Sequence, residues 1–103
     1  MYLTMNRFKV KPGEEAAFEE VWTRRDSHLK SVPGFLAFHL LKGPEKDGYR
    51  LYASHTAWES EGHFLDWTRS EAFREAHKGA GDNKHLYLEA PELEAFETVQ
   101  AIG

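Results

Sequence analysis

The chain has no cysteine among its 103 residues. That removes disulfides, thiolate metal sites, a thiol nucleophile and any cysteine-attached cofactor. Long apolar runs are missing too, so no apolar run is long enough to span a bilayer. The start, MYLTMNRFKV, lacks the charged-then-apolar layout of a signal peptide, and the expectation is a soluble cytoplasmic protein. No strong excess of either sign is present: 13 Lys and Arg against 17 Asp and Glu leave a net charge of -4, which gives no electrostatic reason to expect nucleic acid or an anionic membrane as partner. GAGDNK lacks the Gly-Lys-Ser/Thr ending of a phosphate loop, and no flavin or nicotinamide fingerprint is present. Any redox chemistry would therefore draw its electrons from outside. Without repeats, low-complexity segments or a compositional break, residues 1–103 read as one domain, large enough for a core but marginal alone.

Aromatic residues are abundant, at 14% of the chain. Either the core is aromatic, or an aromatic surface meets a partner or a flat ligand.

YLTMNRFKV (2–10) alternates as a strand, with Tyr2, Thr4, Asn6, Phe8 and Val10 on one face and Leu3, Met5, Arg7 and Lys9 on the other. KPGEE breaks the strand and opens a helix whose apolar face is Phe18, Val21, Trp22 and Leu29; SVPG stops it. FLAFHLLKG (35–43) and YRLYASHTAW (49–58) form two further strands joined by a PEKDG hairpin turn. A short helical segment runs from about Ser60 to Trp67, and Ser70 caps another, ended by Gly79. Residues 79–92 read as a mobile loop, and LEAFETVQAI (93–102) as the last strand.

The order β-α-β-β-α-β predicts an α+β, ferredoxin-like domain with an antiparallel sheet and helices on one face. In the second strand, Phe35, Ala37 and Leu41 mark one face and Leu36, Phe38 and Leu40 the other. Both faces are apolar, yet one helix layer covers only one of them. A symmetric homodimer through the second face is the expected solution, against a monomer with an unusually apolar surface.

Three polar or amphipathic residues stand out. His77, in EAHKG, suits the last turn of a helix, where a basic side chain meets exposed carbonyls. It also suits a metal, because neutral imidazole is a common iron ligand. No second ligand lies at His-x3-His or His-x2-Glu spacing, so a lone histidine is sufficient only for a metal that arrives already ligated, as iron does in porphyrin. Trp67, ten residues earlier, shares helical spacing with Phe64, and with Phe73 beyond reads either as core or as the wall of a pocket for a flat apolar ligand. Asn6 shares its strand face with Phe8 and Val10. Buried there, an amide costs about 1–3 kcal/mol unless hydrogen-bonded, so it is either satisfied in the core or aimed at a ligand. His28, His39, His55, His63 and His85 read as structural or surface residues.

MNRF, TAWESEGHFLDW and SEAFREAHKG together resemble the Isd-type haem-degrading monooxygenases, members of the antibiotic-biosynthesis monooxygenase superfamily of dimeric α+β barrels. The likeness runs from the first strand to about residue 79, and Asn6, Trp67 and His77 occupy the family's three site positions. The resemblance implies a homodimer with one haem pocket per chain, between the sheet and the helical segment. His77 would be the axial iron ligand, Asn6 a hydrogen-bond donor toward oxygen bound at the iron, and Trp67 a group that presses on the macrocycle and ruffles it. Haem would be both cofactor and substrate: O2 and electrons from an external reductase or small-molecule reductant open the ring and release iron and a bilin-type product. Arg74 is a candidate contact for a haem propionate, as are Lys78, Lys84 and Tyr87 in a loop that departs from the family pattern. Two other readings stand beside it: a cofactor-independent monooxygenase of the same superfamily acting on a polycyclic phenol or quinol, which would use Asn6 and Trp67 but needs no His77, and a non-enzymatic haem-binding dimer.

Overall fold

The computed structural model describes residues 1–25, 28–76 and 84–103. The elements run β1 (Tyr2–Val10), α1 (Glu15–Arg24), a 3-10 turn (Leu29–Ser31), β2 (Phe35–Lys46), β3 (Tyr49–Trp58), α2 (Glu61–Thr68), α3 (Glu71–Ala76) and β4 (Glu92–Glu97). The strands form one antiparallel sheet in the order β2-β3-β1-β4. This is the ferredoxin-like topology expected from the sequence, with the first and third strands at the centre.

β1 alternates as its spelling requires. Tyr2, Thr4, Phe8 and Val10 are buried on one face. The helices cover that face and divide the interior into two clusters. Phe8, Val10, Phe18, Tyr52 and Leu86 make one, with Trp22 and Tyr87 packed against it. Tyr2, Leu29 and Trp58 make the other, joined by Phe35, Phe38, Phe64 and Trp67. A buried polar pair ties β1 to β3 in the second cluster, with Trp58 Nε1 donating to Thr4 Oγ1 at 3.3 Å.

Four local expectations need correction. α1 ends at Arg24 because Arg25 turns to extended backbone, with ψ at 127°. Leu29 therefore leaves the Phe18 face and is buried with Trp58 in the other cluster. β2 carries a bulge: Phe35 pairs with Trp58 and Ala37 with Ala57, so β2 advances two residues while β3 advances one. Phe35 thus joins Phe38 and Leu40 on the helix-covered side, edge-on to Trp58 at 6.1 Å, rather than sharing a face with Ala37 and Leu41. β4 stops at Glu97, short of the expected 102, because Glu97 pairs with Tyr2 and Thr98 N bonds Met1 O, where β1 itself begins. Finally, the described part of the 79–92 segment is docked, not loose. Leu86 is 2% exposed. Lys11 N bonds Leu86 O and Leu88 N bonds Lys9 O, both at 2.9 Å, and Tyr87 bridges Val10, so the segment extends the β1 edge beyond β4.

Both helical caps form as their serines predict: Ser60 Oγ accepts from His63 N and Ser70 Oγ from Phe73 N. The turn before β2 fits flush against α2. Gly34 has φ +83°, and a Cβ placed there would come within 2.2 Å of the His63 ring. Its carbonyl accepts from Glu59 N at 2.8 Å.

The opposite sheet face presents Leu3 and Met5 from β1, Ala37, His39 and Leu41 from β2, Ala53, His55 and Ala57 from β3, and Phe96 from β4. No described helix packs on it. Leu41 and Phe96 are 42% and 48% exposed.

Candidate functional site

Asn6 lies in the row of the helix-facing sheet surface that separates the two clusters. Across the strands that row reads Leu40, Ser54, Asn6, Leu93. Ser54 is buried and Asn6 half-buried. One step along β1 on the same face is Phe8, whose ring meets Phe18, Trp22 and Tyr87. One step the other way is Thr4, bonded to Trp58. The Asn6 amide has no side-chain hydrogen bond among the described residues, so this row carries an uncommitted donor and acceptor between two aromatic clusters.

Trp67 stands in the second wall. It meets Trp58 at 5.3 Å, Phe64 at 6.5 Å and Phe73 edge-on at 4.8 Å. The Phe64–Trp67–Phe73 spacing seen in the sequence therefore describes one aromatic surface spanning α2 and α3, held in place by the Ser70 cap. A cavity of about 210 Å³ on the flank of Trp67, lined by Val32, Pro33, His63 and Asp66, is too small for a large flat ligand.

The other wall was not anticipated. Trp22 of α1 stacks on Phe38 of β2 at 5.8 Å and 17°, linking the two clusters. Its Nε1 is buried and has no hydrogen-bond partner among the described residues. Arg25 lies over the same indole, 4.4 Å from its centroid. Burial pushes the Arg25 guanidinium below its ordinary pKa, opposed by Tyr87 nearby, and burial raises the Tyr87 phenol in turn. Arg25 makes no ion pair among the described residues. The sequence did hold a signal: Arg24 is four residues from Glu20 and takes the surface pair, which leaves Arg25 as the arginine without a helical partner.

Of the other predicted site residues, Arg74 is exposed and paired with Glu71 at 2.8 Å on the outer side of α3. Lys84 and His85 are exposed, and Tyr87 is half-buried against Phe8 and Phe18. His63 is engaged with the Ser60 cap of α2, its backbone N donating to Ser60 Oγ and its ring Nδ1 lying 2.7 Å from the same oxygen. His77 and Lys78 lie outside the described residues. Among the described residues no three His, Asp or Glu side chains group to hold a metal.

The residues present fit a large flat ligand with an acidic edge. The helix-facing side of the sheet offers aromatic side chains on either side of a half-buried amide, and one half-buried cation.

Fold and side chains together define a small α+β domain with an uncommitted amide between two aromatic clusters on the helix-facing side of its sheet. The antibiotic biosynthesis monooxygenase model matches residues 1–79, and the chain belongs to that family. It is 34% identical over 97 residues to a heme-degrading monooxygenase of Shouchella clausii, covering 94% of this chain and 89% of that protein. Among solved structures it superposes on the heme-degrader MhuD of Mycobacterium tuberculosis with two hemes in its active site, with a TM-score of 0.73, 28% identity and the whole of both chains covered. It also superposes on SnoaB, a cofactor-independent oxygenase of Streptomyces nogalater, with a TM-score of 0.71, 26% identity and coverage of 98% and 95%.

Proposed function

We propose that this protein is a haem-degrading monooxygenase, a homodimer in which each cleft takes haem as substrate and cofactor together. The observation that carries the reading is the half-buried, uncommitted Asn6 amide on a floor between two aromatic walls. The likeness to a heme-degrading monooxygenase and to a heme-degrader with hemes in its active site supports it. Bound haem supplies the iron that activates O2 and the ring that is opened, with electrons from an external donor and with iron and a bilin-type product released.

The chain's own residues have separable tasks. Trp22 and Trp67 would pack against bound haem and exclude water, with Trp67 the residue proposed to press on it. Asn6 donates a hydrogen bond on the oxygen side. His77, which follows α3 in sequence, would hold the haem iron. Arg25 replaces Arg74 as the preferred partner of a propionate, because Arg74 is exposed and already paired. The opposite sheet face is the dimer interface.

Hemin titration followed by reductant in air tests this directly. The expected result is a Soret band that bleaches with release of iron. His77→Ala should lose the histidine-ligated spectrum. Asn6→Ala should bind hemin normally and lose roughly a hundred- to a thousandfold in single-turnover rate. A stable Soret band would leave a haem carrier, and no band a cofactor-independent oxygenase.

A further inference from the structure

Asn6 is not the only polar side chain between the two aromatic clusters. β3 presents Tyr52, Ser54, Thr56 and Trp58 to the helices, opposite Phe8, Asn6, Thr4 and Tyr2 of β1. Ser54 is therefore the direct cross-strand neighbour of Asn6, with Leu40 of β2 on its other side.

Ser54 is 5% exposed. Its hydroxyl makes no hydrogen bond among the described residues, to Asn6 or to any other group. Burying a hydroxyl without a partner costs free energy that an alanine or valine at the same place would not. Serine is also the smallest side chain of the row Leu40, Ser54, Asn6, Leu93, so it leaves room for a ligand beside the amide. The two leucines at the ends of the row offer no hydrogen bond. Thr56, one step along β3, lies between Phe38 and Thr4 on the Trp58 side, and so outside the row.

We propose that Ser54 is a second ligand-contacting residue of the site, its hydroxyl donating, beside the Asn6 amide, to the hydrogen-bond-accepting end of a small ligand that shares the site with haem. The inference rests on the haem reading above and deepens it. Recognition of the small ligand is divided between two side chains on adjacent strands, whose spacing the backbone ladder between β1 and β3 fixes. A paired hydroxyl and amide favour a compact acceptor, an anion or a polar diatomic, over an apolar molecule of equal size. Because the two side chains are not bonded to each other, each keeps its capacity for the ligand.

Fluoride binding to hemin-loaded protein tests the proposal, because fluoride only accepts hydrogen bonds. Ser54→Ala should bind fluoride roughly tenfold or more weakly than wild type, the usual loss when a hydrogen bond to a charged group is removed. Its hemin affinity and Soret maximum should be unchanged. Without hemin it should melt at or above the wild-type temperature, since no hydrogen bond of the folded chain is lost; a lower Tm would make Ser54 a structural residue and overturn the proposal. Ser54→Thr, which keeps the hydroxyl on a side chain suited to a strand, should recover most of the fluoride affinity. In an Asn6→Ala background, Ser54→Ala should still weaken fluoride binding. Loss of the effect there would mean that Ser54 acts only through Asn6, which overturns direct contact. Equal fluoride affinity in wild type and Ser54→Ala overturns the proposal and leaves haem binding standing. A wild-type protein that gives no Soret band with hemin overturns the haem reading itself, and this inference with it.

Discussion

Leu86→Ala decides whether the segment after residue 83 is a structural part of the domain. Leu86 is 2% exposed and packs in the cluster of Phe8, Val10, Phe18 and Tyr52, all of them nearly or fully buried. Truncation removes three carbon groups. At about 0.8 kcal/mol per buried methylene the transfer term alone is about 2.4 kcal/mol. The neighbours are three rings and a β-branched side chain on a hydrogen-bonded strand, which collapse poorly into the space left. A residual cavity brings the loss to about 3 kcal/mol, within the usual range for buried leucines. For a domain of 103 residues, an unfolding entropy of about 2.1 cal/mol/K per residue turns that into a fall in Tm of roughly 10–15 °C. Urea denaturation of apo protein gives the free energy and thermal melting the Tm. A loss below about 1 kcal/mol with an unchanged m-value would mean that residues 84–88 are detached from β1 in solution, as the glycine-rich spelling upstream suggests, and that Leu86 is no core residue.

Arg25→Gln should weaken hemin binding by roughly tenfold or more, the usual consequence of losing a charge-assisted hydrogen bond, without moving the Soret maximum. Hemin dimethyl ester, which has no carboxylate, should bind wild type and variant alike; an equal loss with the ester would make Arg25 a packing residue. Tyr52→Phe tests the acid limb of stability. The Tyr52 hydroxyl donates to Glu19 Oε2 at 2.5 Å and, with Lys42, holds that carboxyl below its usual range against the opposing effect of burial. A depressed carboxyl stabilises the fold above its ordinary value and loses that contribution as pH falls. Between pH 5.5 and 3, Tm should therefore drop less in Tyr52→Phe than in wild type, and parallel curves would refute the coupling.

The element order was legible because its signals are local. β1 alternates with period two, Ser60 and Ser70 sit where helices start, and PG and DG punctuate the turns. The β2 bulge was not legible. Residues 35–41 are apolar throughout apart from His39, so there is no polar residue out of phase to reveal a slipped count. The docking of Leu86 was hidden for another reason: its partners Phe8, Phe18 and Tyr52 lie on three distant elements, and no window of sequence contains them together. In the cleft, Asn6 was visible as a polar residue on an apolar face, and the Trp67 surface as helical spacing. The Trp22–Phe38 stack was not, because it depends on how α1 crosses β2. His77 was singled out by its spelling and its place before glycine and lies outside the described residues.

Gly34 shows how a residue far from any chemistry can constrain a sequence. Its backbone angle and its contact with the His63 ring are two independent demands, and they point to the same answer. A variant that relaxed only one would still fail: alanine at 34 meets the ring even if the backbone tolerates it, and shrinking His63 leaves the strained φ in place. Position 34 therefore cannot drift by a single step, and a change at His63 alone does not release it. In a saturation library, position 34 should show the intolerance usually reserved for catalytic residues. A reader of such a map who equated intolerance with function would assign a site to a turn whose work is to keep α2, and Trp67 with it, seated on the end of β2.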